Sequence, residues 1–177
     1  MKRIARYAAV ALILGLALTL TLAFRRDPHD IKTGTVGKPA PAFALPSLAD
    51  GTTISLAQYQ GKIVVLNFWS SWCIPCKEEN PALTEVWERY RGTDVVVLGI
   101  VFQDTKDAAR DYTARLGNAW PSAFDDAGQV ALGYGVFGPP ETYFIGADGV
   151  IAGRHIGPID EQTLITGIET LRRSASR

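Results

Sequence analysis

The chain of 177 residues is 47% apolar and 20% charged, the composition of an ordinary globular protein, and its length suits a single domain once an N-terminal segment is set aside. Eighteen basic against eighteen acidic residues leave no net charge, and nothing in that balance points to nucleic acid. Only two cysteines occur, so no disulfide framework staples the fold.

Residues 1–26 read as a membrane anchor. Lys2, Arg3 and Arg6 precede eighteen residues without charge, Tyr7–Phe24, and Arg25-Arg26 follow. That run lies at the short end of what spans a bilayer as a helix. A cleaved signal peptide is the alternative, but its core is usually shorter, and the best exit here, Thr21-Leu22-Ala23, is a poor one. The basic N-terminus is expected to stay cytoplasmic, with Arg25 and Arg26 blunting the asymmetry, which puts the rest of the chain on the extracytoplasmic side. Residues 27–41, with Pro, Gly and Asp, read as a tether to a domain over 42–177.

The domain opens with Phe43–Leu45 and Thr52–Ser55 around Asp50-Gly51, a hairpin signal, and Leu56–Gln60 reads as a helical turn. Ile63–Trp69 is apolar but for Asn67, as a strand buried on both faces should be. It runs into Cys73-Ile74-Pro75-Cys76 and then a helix in which Leu83, Val86, Trp87 and Tyr90 share a face and Pro81 should make a kink. Asp94–Val101 is a second buried strand. Thr105–Leu116 reads as a helix with Ala108, Tyr112 and Leu116 inward, ended by Gly117-Asn118. Ala119–Asp125 is a short extended piece and Gln129–Tyr134 a short helix. Glu141–Ile145 and Val150–His155 flank the turn dipeptide Asp148-Gly149, and Asp160 caps a last helix with Leu164, Ile168 and Leu171 inward. This order predicts an α/β fold: a central mixed sheet with helices on both faces, an N-terminal β-hairpin and a central β-α insertion.

The chemistry centres on Cys73 and Cys76. A thiolate at a helix N-terminus meets unpaired N–H groups and the positive end of the dipole, so its pKa falls. A spacing of three lets the sulfurs bond, and Pro75 gives up an N–H that the first turn does not use. A four-residue loop is a poor staple, which favours a redox dithiol over a static bridge. Cys73, nearer the helix tip, is expected to be the more exposed sulfur and the nucleophile, with Cys76 resolving the mixed disulfide. Zinc would need further ligands, and His29 and His155 stand alone; no metal or other cofactor is expected. His155 reads as a hydrogen-bonded structural residue, and Trp72 as part of a docking surface. Glu78 and Glu79 read as solvent-facing carboxylates at the helix start.

N-F-W-S-S-W-C-x-P-C-K, with Pro81 beyond, resembles the thioredoxin active site, and the fold it implies is the thioredoxin fold. Thioredoxin has a buried aspartate where this chain has Asn67, so a base would have to come from another residue. In Gly138-Pro139-Pro140-Glu141-Thr142, the resemblance implies a cis bond at Pro140 and a loop facing the cysteines, where Pro139 and Pro140, with Trp72 and Pro75, would meet a partner strand. A plain Pro-Pro turn is the alternative. Glu141 is either an active-site carboxylate that raises the thiol pKa values or a solvated one.

The pieces L-G-N, F-D-x-x-G, G-V-x-G-x-P-E-T and R-H-x-G between Leu116 and Gly157 are similar to the membrane-anchored thiol:disulfide interchange proteins of cytochrome c biogenesis, the CcmG/DsbE type. The resemblance implies a reductant of apocytochrome c, or of a haem-ligation helper protein, fed by a membrane electron donor of the CcdA/DsbD kind. It also places Glu141 among the active-site surroundings. A broader TlpA- or ResA-like reductase, or an oxidase, is the main alternative. A peroxiredoxin would carry P-x-x-x-T-x-x-C, where this chain has Leu66 and Ser70. A non-catalytic binding module would not need an intact C-x-x-C.

Overall fold

The structure, a computed structural model, describes residues 35–175 continuously and a few isolated positions nearer the N-terminus. The anchor expected over residues 1–26 lies outside the continuously described part. Among the described residues no helix is long and apolar enough to cross a membrane. The chain divides into two compact units, Met1–Ile31 and Lys32–Arg177, and the second holds every strand of the described residues.

A short hairpin, β1 (Ala44–Pro46) with β2 (Thr53–Ser55), is followed by a 3-10 turn over Leu56–Tyr59. Then come β3 (Ile63–Trp69), α1 (Ile74–Tyr90), β4 (Val95–Phe102), α2 (Lys106–Leu116), β5 (Ser122–Asp125) and α3 (Gln129–Tyr134). The chain ends with β6 (Glu141–Ile145), β7 (Ile151–Ile156) and α4 (Glu161–Ala175). The five longer strands form one mixed sheet in the order β5-β4-β3-β6-β7, with β3–β4 and β4–β5 parallel and the others antiparallel. β3 is central, and all seven of its residues are buried.

Alternation along the strands separates two faces. Val64, Leu66 and Phe68 point with Leu98, Ile100, Tyr143 and Ile145 into a core closed by Ile54 of the hairpin and by Ala131 and Tyr134 of α3. Ile63 and Val65 point the other way, onto Leu83 and Val86 of α1 and Leu164 and Ile168 of α4. Further along that second face, Trp69, Val101 and Phe124 pack with both cysteines and with Ala109 and Tyr112 of α2. The inward position of α2 is thus Ala109 rather than the expected Ala108, one step around the helix. Residues 35–41, read as the end of a tether, are laid against the β6–β7 turn: Gly37 N donates to Ile151 O and Ala40 N to Gly149 O.

Gly99 on β4 lies beside Asn67 of β3 and Ser122 of β5. A Cβ there would stand 2.5 Å from Ser122 Oγ and 2.6 Å from Trp69 Nε1. Trp69 is stacked on Tyr112, ring centroids 5.1 Å apart, so it has little room to retreat. Gly99→Ala is expected to destabilise the protein, because overpacking costs about 1–3 kcal/mol while alanine gains roughly 0.5–1 kcal/mol over glycine in a strand. A lowered urea midpoint at unchanged slope checks this.

Candidate active site

The loop between β3 and α1 is tied down at three successive residues. Ser70 Oγ donates to Phe102 O, Ser71 N to Asp104 Oδ2 at 2.6 Å, and Trp72 Nε1 to Gln103 O at 2.9 Å. Gln103 takes φ 47°, a left-handed conformation that a non-glycine side chain adopts at a cost. The end of β4 therefore fixes where the first cysteine stands.

Cys73 is the N-cap of α1, and Pro75 lies in the first turn. The two cysteines form a disulfide with Cα atoms 5.3 Å apart. Cys73 Sγ accepts from Cys76 N at 3.1 Å, so the sulfur occupies the place a capping oxygen would take. After reduction the same N–H, with the helix dipole, stabilises a Cys73 thiolate. The expected difference in exposure is absent in the disulfide: Cys73 is 4% exposed and Cys76 3%. What distinguishes them is a surface groove of about 510 Å³, which Cys73 lines and Cys76 does not. Trp72 lines it too, 56% exposed and held by its bond to Gln103.

Glu78 is exposed, as read, but Glu79 is not: it is 2% exposed. Three residues beyond Cys76, one helical turn, it faces the sheet instead of water. Its carboxylate accepts from Asn67 Nδ2 at 2.7 Å and from Ile159 N at 3.1 Å. Asn67 Nδ2 also donates to Thr142 Oγ1 at 3.1 Å, tying β3 to β6. Burial pushes the Glu79 carboxyl up to about 7, against the two hydrogen bonds that favour its charged form. Burial, and then the Glu79 charge, push the Tyr112 hydroxyl up to about 12, so it keeps its proton. The base that Asn67 lacks is thus available on α1. The sequence carried a signal for it: Glu79 precedes Leu83, Val86 and Tyr90 by four, seven and eleven residues, on the stripe that faces the core.

The Pro139–Pro140 bond is cis. Glu141 follows it but turns away from α1. In β6 it is paired with Phe68, so its side chain points with Tyr143 and Ile145 to the face opposite Asn67, Thr142 and Glu79. There it is neither solvated nor gathered with the dithiol. Its carboxylate meets Arg154, with both side chains 1% exposed or less, and takes Arg154 Nε at 2.8 Å. It also accepts from the backbone N–H groups of Phe137 and Gly138, at 2.8 and 3.3 Å. Arg154 Nη2 reaches on to Gly135 O at 2.9 Å. The pair holds the loop that carries the two prolines. His155 lies outside this arrangement, with Nε2 3.2 Å from Pro158 O.

A raised Glu79 pKa means that the folded protein binds a proton more tightly than the unfolded chain. Its stabilising contribution is complete below the unfolded value near 4.5 and is lost as pH rises through about 7. The stability of the disulfide form minus that of Glu79→Gln should fall across that window by on the order of 3 kcal/mol, read from urea midpoints at several pH values. Arg154→Met leaves a buried carboxylate unpaired and is expected to cost about 3–5 kcal/mol, whereas Arg154→Met combined with Glu141→Leu should cost much less. The same denaturation measurement separates the two.

The AhpC/TSA family model matches residues 36–154. The thiol:disulfide interchange protein DsbE of Pseudomonas fluorescens biotype C is 37% identical over 162 residues, covering 91% of this chain and 89% of the relative. The thiol:disulfide interchange protein HelX of Rhodobacter capsulatus is 33% identical over 149 residues, covering 83% and 82%. A Chlorobium tepidum crystal structure assigned to thiol:disulfide interchange protein DsbE superposes with a TM-score of 0.71 at 30% identity, covering 77% of this chain and 96% of the other. With its thioredoxin-like sheet and the Cys73–Cys76 pair at the start of α1, the chain belongs to the AhpC/TSA family and, within it, to the DsbE-type thiol:disulfide interchange proteins.

Proposed function

We propose that the protein is an extracytoplasmic protein-disulfide reductase that keeps the cysteines of apocytochrome c, or of a haem-ligation helper, reduced for haem attachment. The observation that carries this reading is the disulfide at the N-terminus of α1, with Cys73 opening onto a groove and an acid of pKa about 7 one turn behind Cys76. In the reduced protein the Cys73 thiolate bonds to one sulfur of the partner disulfide and displaces the other as a thiolate. Cys76 gives its proton to Glu79 and attacks Cys73 Sγ. The Cys73–Cys76 disulfide forms, and the second partner sulfur leaves as a thiolate. Two electrons pass to the partner and no cofactor is needed. A membrane dithiol donor of the CcdA/DsbD kind restores the pair by the reverse exchange.

Residues 1–26 serve in this reading as a single-pass anchor and the stretch after them as a tether, with the domain on the periplasmic side. The likeness to the DsbE and HelX proteins supports the biogenesis role. Pro75, Pro139 and Pro140 bound the place where the partner strand lies, and Glu141 acts there through the loop it holds rather than on the sulfurs.

Cys76→Ser should trap a mixed disulfide at Cys73 in the native host, and Cys73→Ser should trap none. Capture of an apocytochrome c or a haem-ligation helper is the expected result. A broad set of secreted proteins with no cytochrome component would replace this reading with a general TlpA- or ResA-like enzyme.

A further inference from the structure

The groove beside Cys73 runs between the start of α1 and the end of α2, and its charge is one-sided. Lys77 and Arg115 line it together with Trp72, Ile74 and Tyr112, and no carboxylate does. Both cations are exposed, and among the described residues neither makes an ion pair. The nearby carboxylates are placed elsewhere. Asp104 accepts from Ser71 N and Thr105 N, Glu79 is buried under Asn67, and Glu78 and Asp111 are exposed but do not line the groove. The whole chain is neutral, so two unpaired cations here are a local feature and not a share of a general excess. Trp72 and Ile74, 56% and 75% exposed, add an apolar rim.

In the loop ahead of β6 the main chain offers a partner little, since the N–H groups of Phe137 and Gly138 are given to Glu141. Pro139 has no N–H, so an extended partner segment passing it finds only the carbonyl as a hydrogen-bonding group. Recognition is left to side chains in the groove. We propose that this groove selects partner disulfides flanked by acidic side chains, with a partner Asp or Glu seated between Lys77 and Arg115 while its neighbouring sulfur meets Cys73. The proposal rests on the thiol–disulfide reading above and adds the chemistry of the partner segment. Exposed charges of this kind act mainly on encounter and are screened by salt, so the selection is expressed in kcat/KM at low ionic strength.

The test uses three synthetic peptides that differ only in Glu, Gln or Lys beside a single disulfide, together with a small uncharged disulfide, each reduced by the full-length protein after its own reduction. The expected result is a kcat/KM ratio of about tenfold for the Glu over the Lys peptide, narrowing in high salt. The ratio falls toward one in Lys77→Ala combined with Arg115→Ala, falls partway in Arg115→Gln, and persists in Arg89→Ala at the far end of α1. Being a ratio within one protein, it does not move with a changed thiolate pKa or a reduced folded fraction. Equal turnover of the three peptides, or a ratio that falls just as far in Arg89→Ala, overturns the groove assignment while reduction of the small disulfide leaves the enzymatic reading standing. Failure to reduce any of the four disulfides overturns both.

Discussion

A carboxylate held inside the protein without a cation is the constraint around which the site is arranged. Glu79 is 2% exposed and, among the described residues, is met only by an amide and a backbone N–H, from Asn67 and Ile159. Those two donors come from β3 and from the segment leading into α4, so the group ties α1 to both. Neutral donors lower the pKa of an acid less than a guanidinium does, and burial raises it more than they compensate. The outcome is a group whose charge is balanced near neutrality. Such a group is useful to a reaction in which a thiol must lose a proton and a thiolate must later recover one.

The sheet keeps two carboxylates of opposite character apart. Glu141, on the other face, is as deeply buried as Glu79, but it is matched with Arg154 and with the N–H groups of the loop before the cis bond. The service of that match is mechanical: it holds the loop that carries Pro139 and Pro140. Residues 141 and 142 are neighbours in β6 and their side chains part company there, Glu141 to the loop clamp and Thr142 to Asn67. One strand thus contributes to the proline loop on one face and to the Asn67–Glu79 network on the other.

Much of the fold was legible in the sequence because its strands are buried and short. β3, β6 and α3 stand where the apolar runs and turn residues put them, and the hairpin around Asp50-Gly51 pairs as its turn signal indicates. What the sequence left open concerns which way polar side chains point. Glu79 reads as a solvated helix-start residue because carboxylates at that place commonly face water; its agreement with the Leu83–Val86–Tyr90 stripe is the contrary signal. Glu141 stood next to the prolines along the chain, but the pleat turns it to the far face. Its partner Arg154 is set by the β6–β7 register, with Tyr143 opposite Arg154, which no local pattern encodes. The tie of Ser71 and Trp72 to Asp104 and Gln103 joins segments more than thirty residues apart and was likewise out of reach.

The identity of residue 67 follows from the same electrostatics. Thioredoxin places its buried acid on the central strand, whereas here the acid stands on the helix and the strand position is an amide. Asn67 Nδ2 lies 2.7 Å from Glu79 Oε1. Two carboxylates at that separation would not both ionise, and the shared proton would divide into two widely split steps belonging to the pair. An amide removes the conflict: it donates to Glu79 and to Thr142 at once, and leaves a single titrating group behind Cys76. Moving the acid from strand to helix therefore requires the strand residue to become a donor, and Asn67 with Glu79 is that exchange.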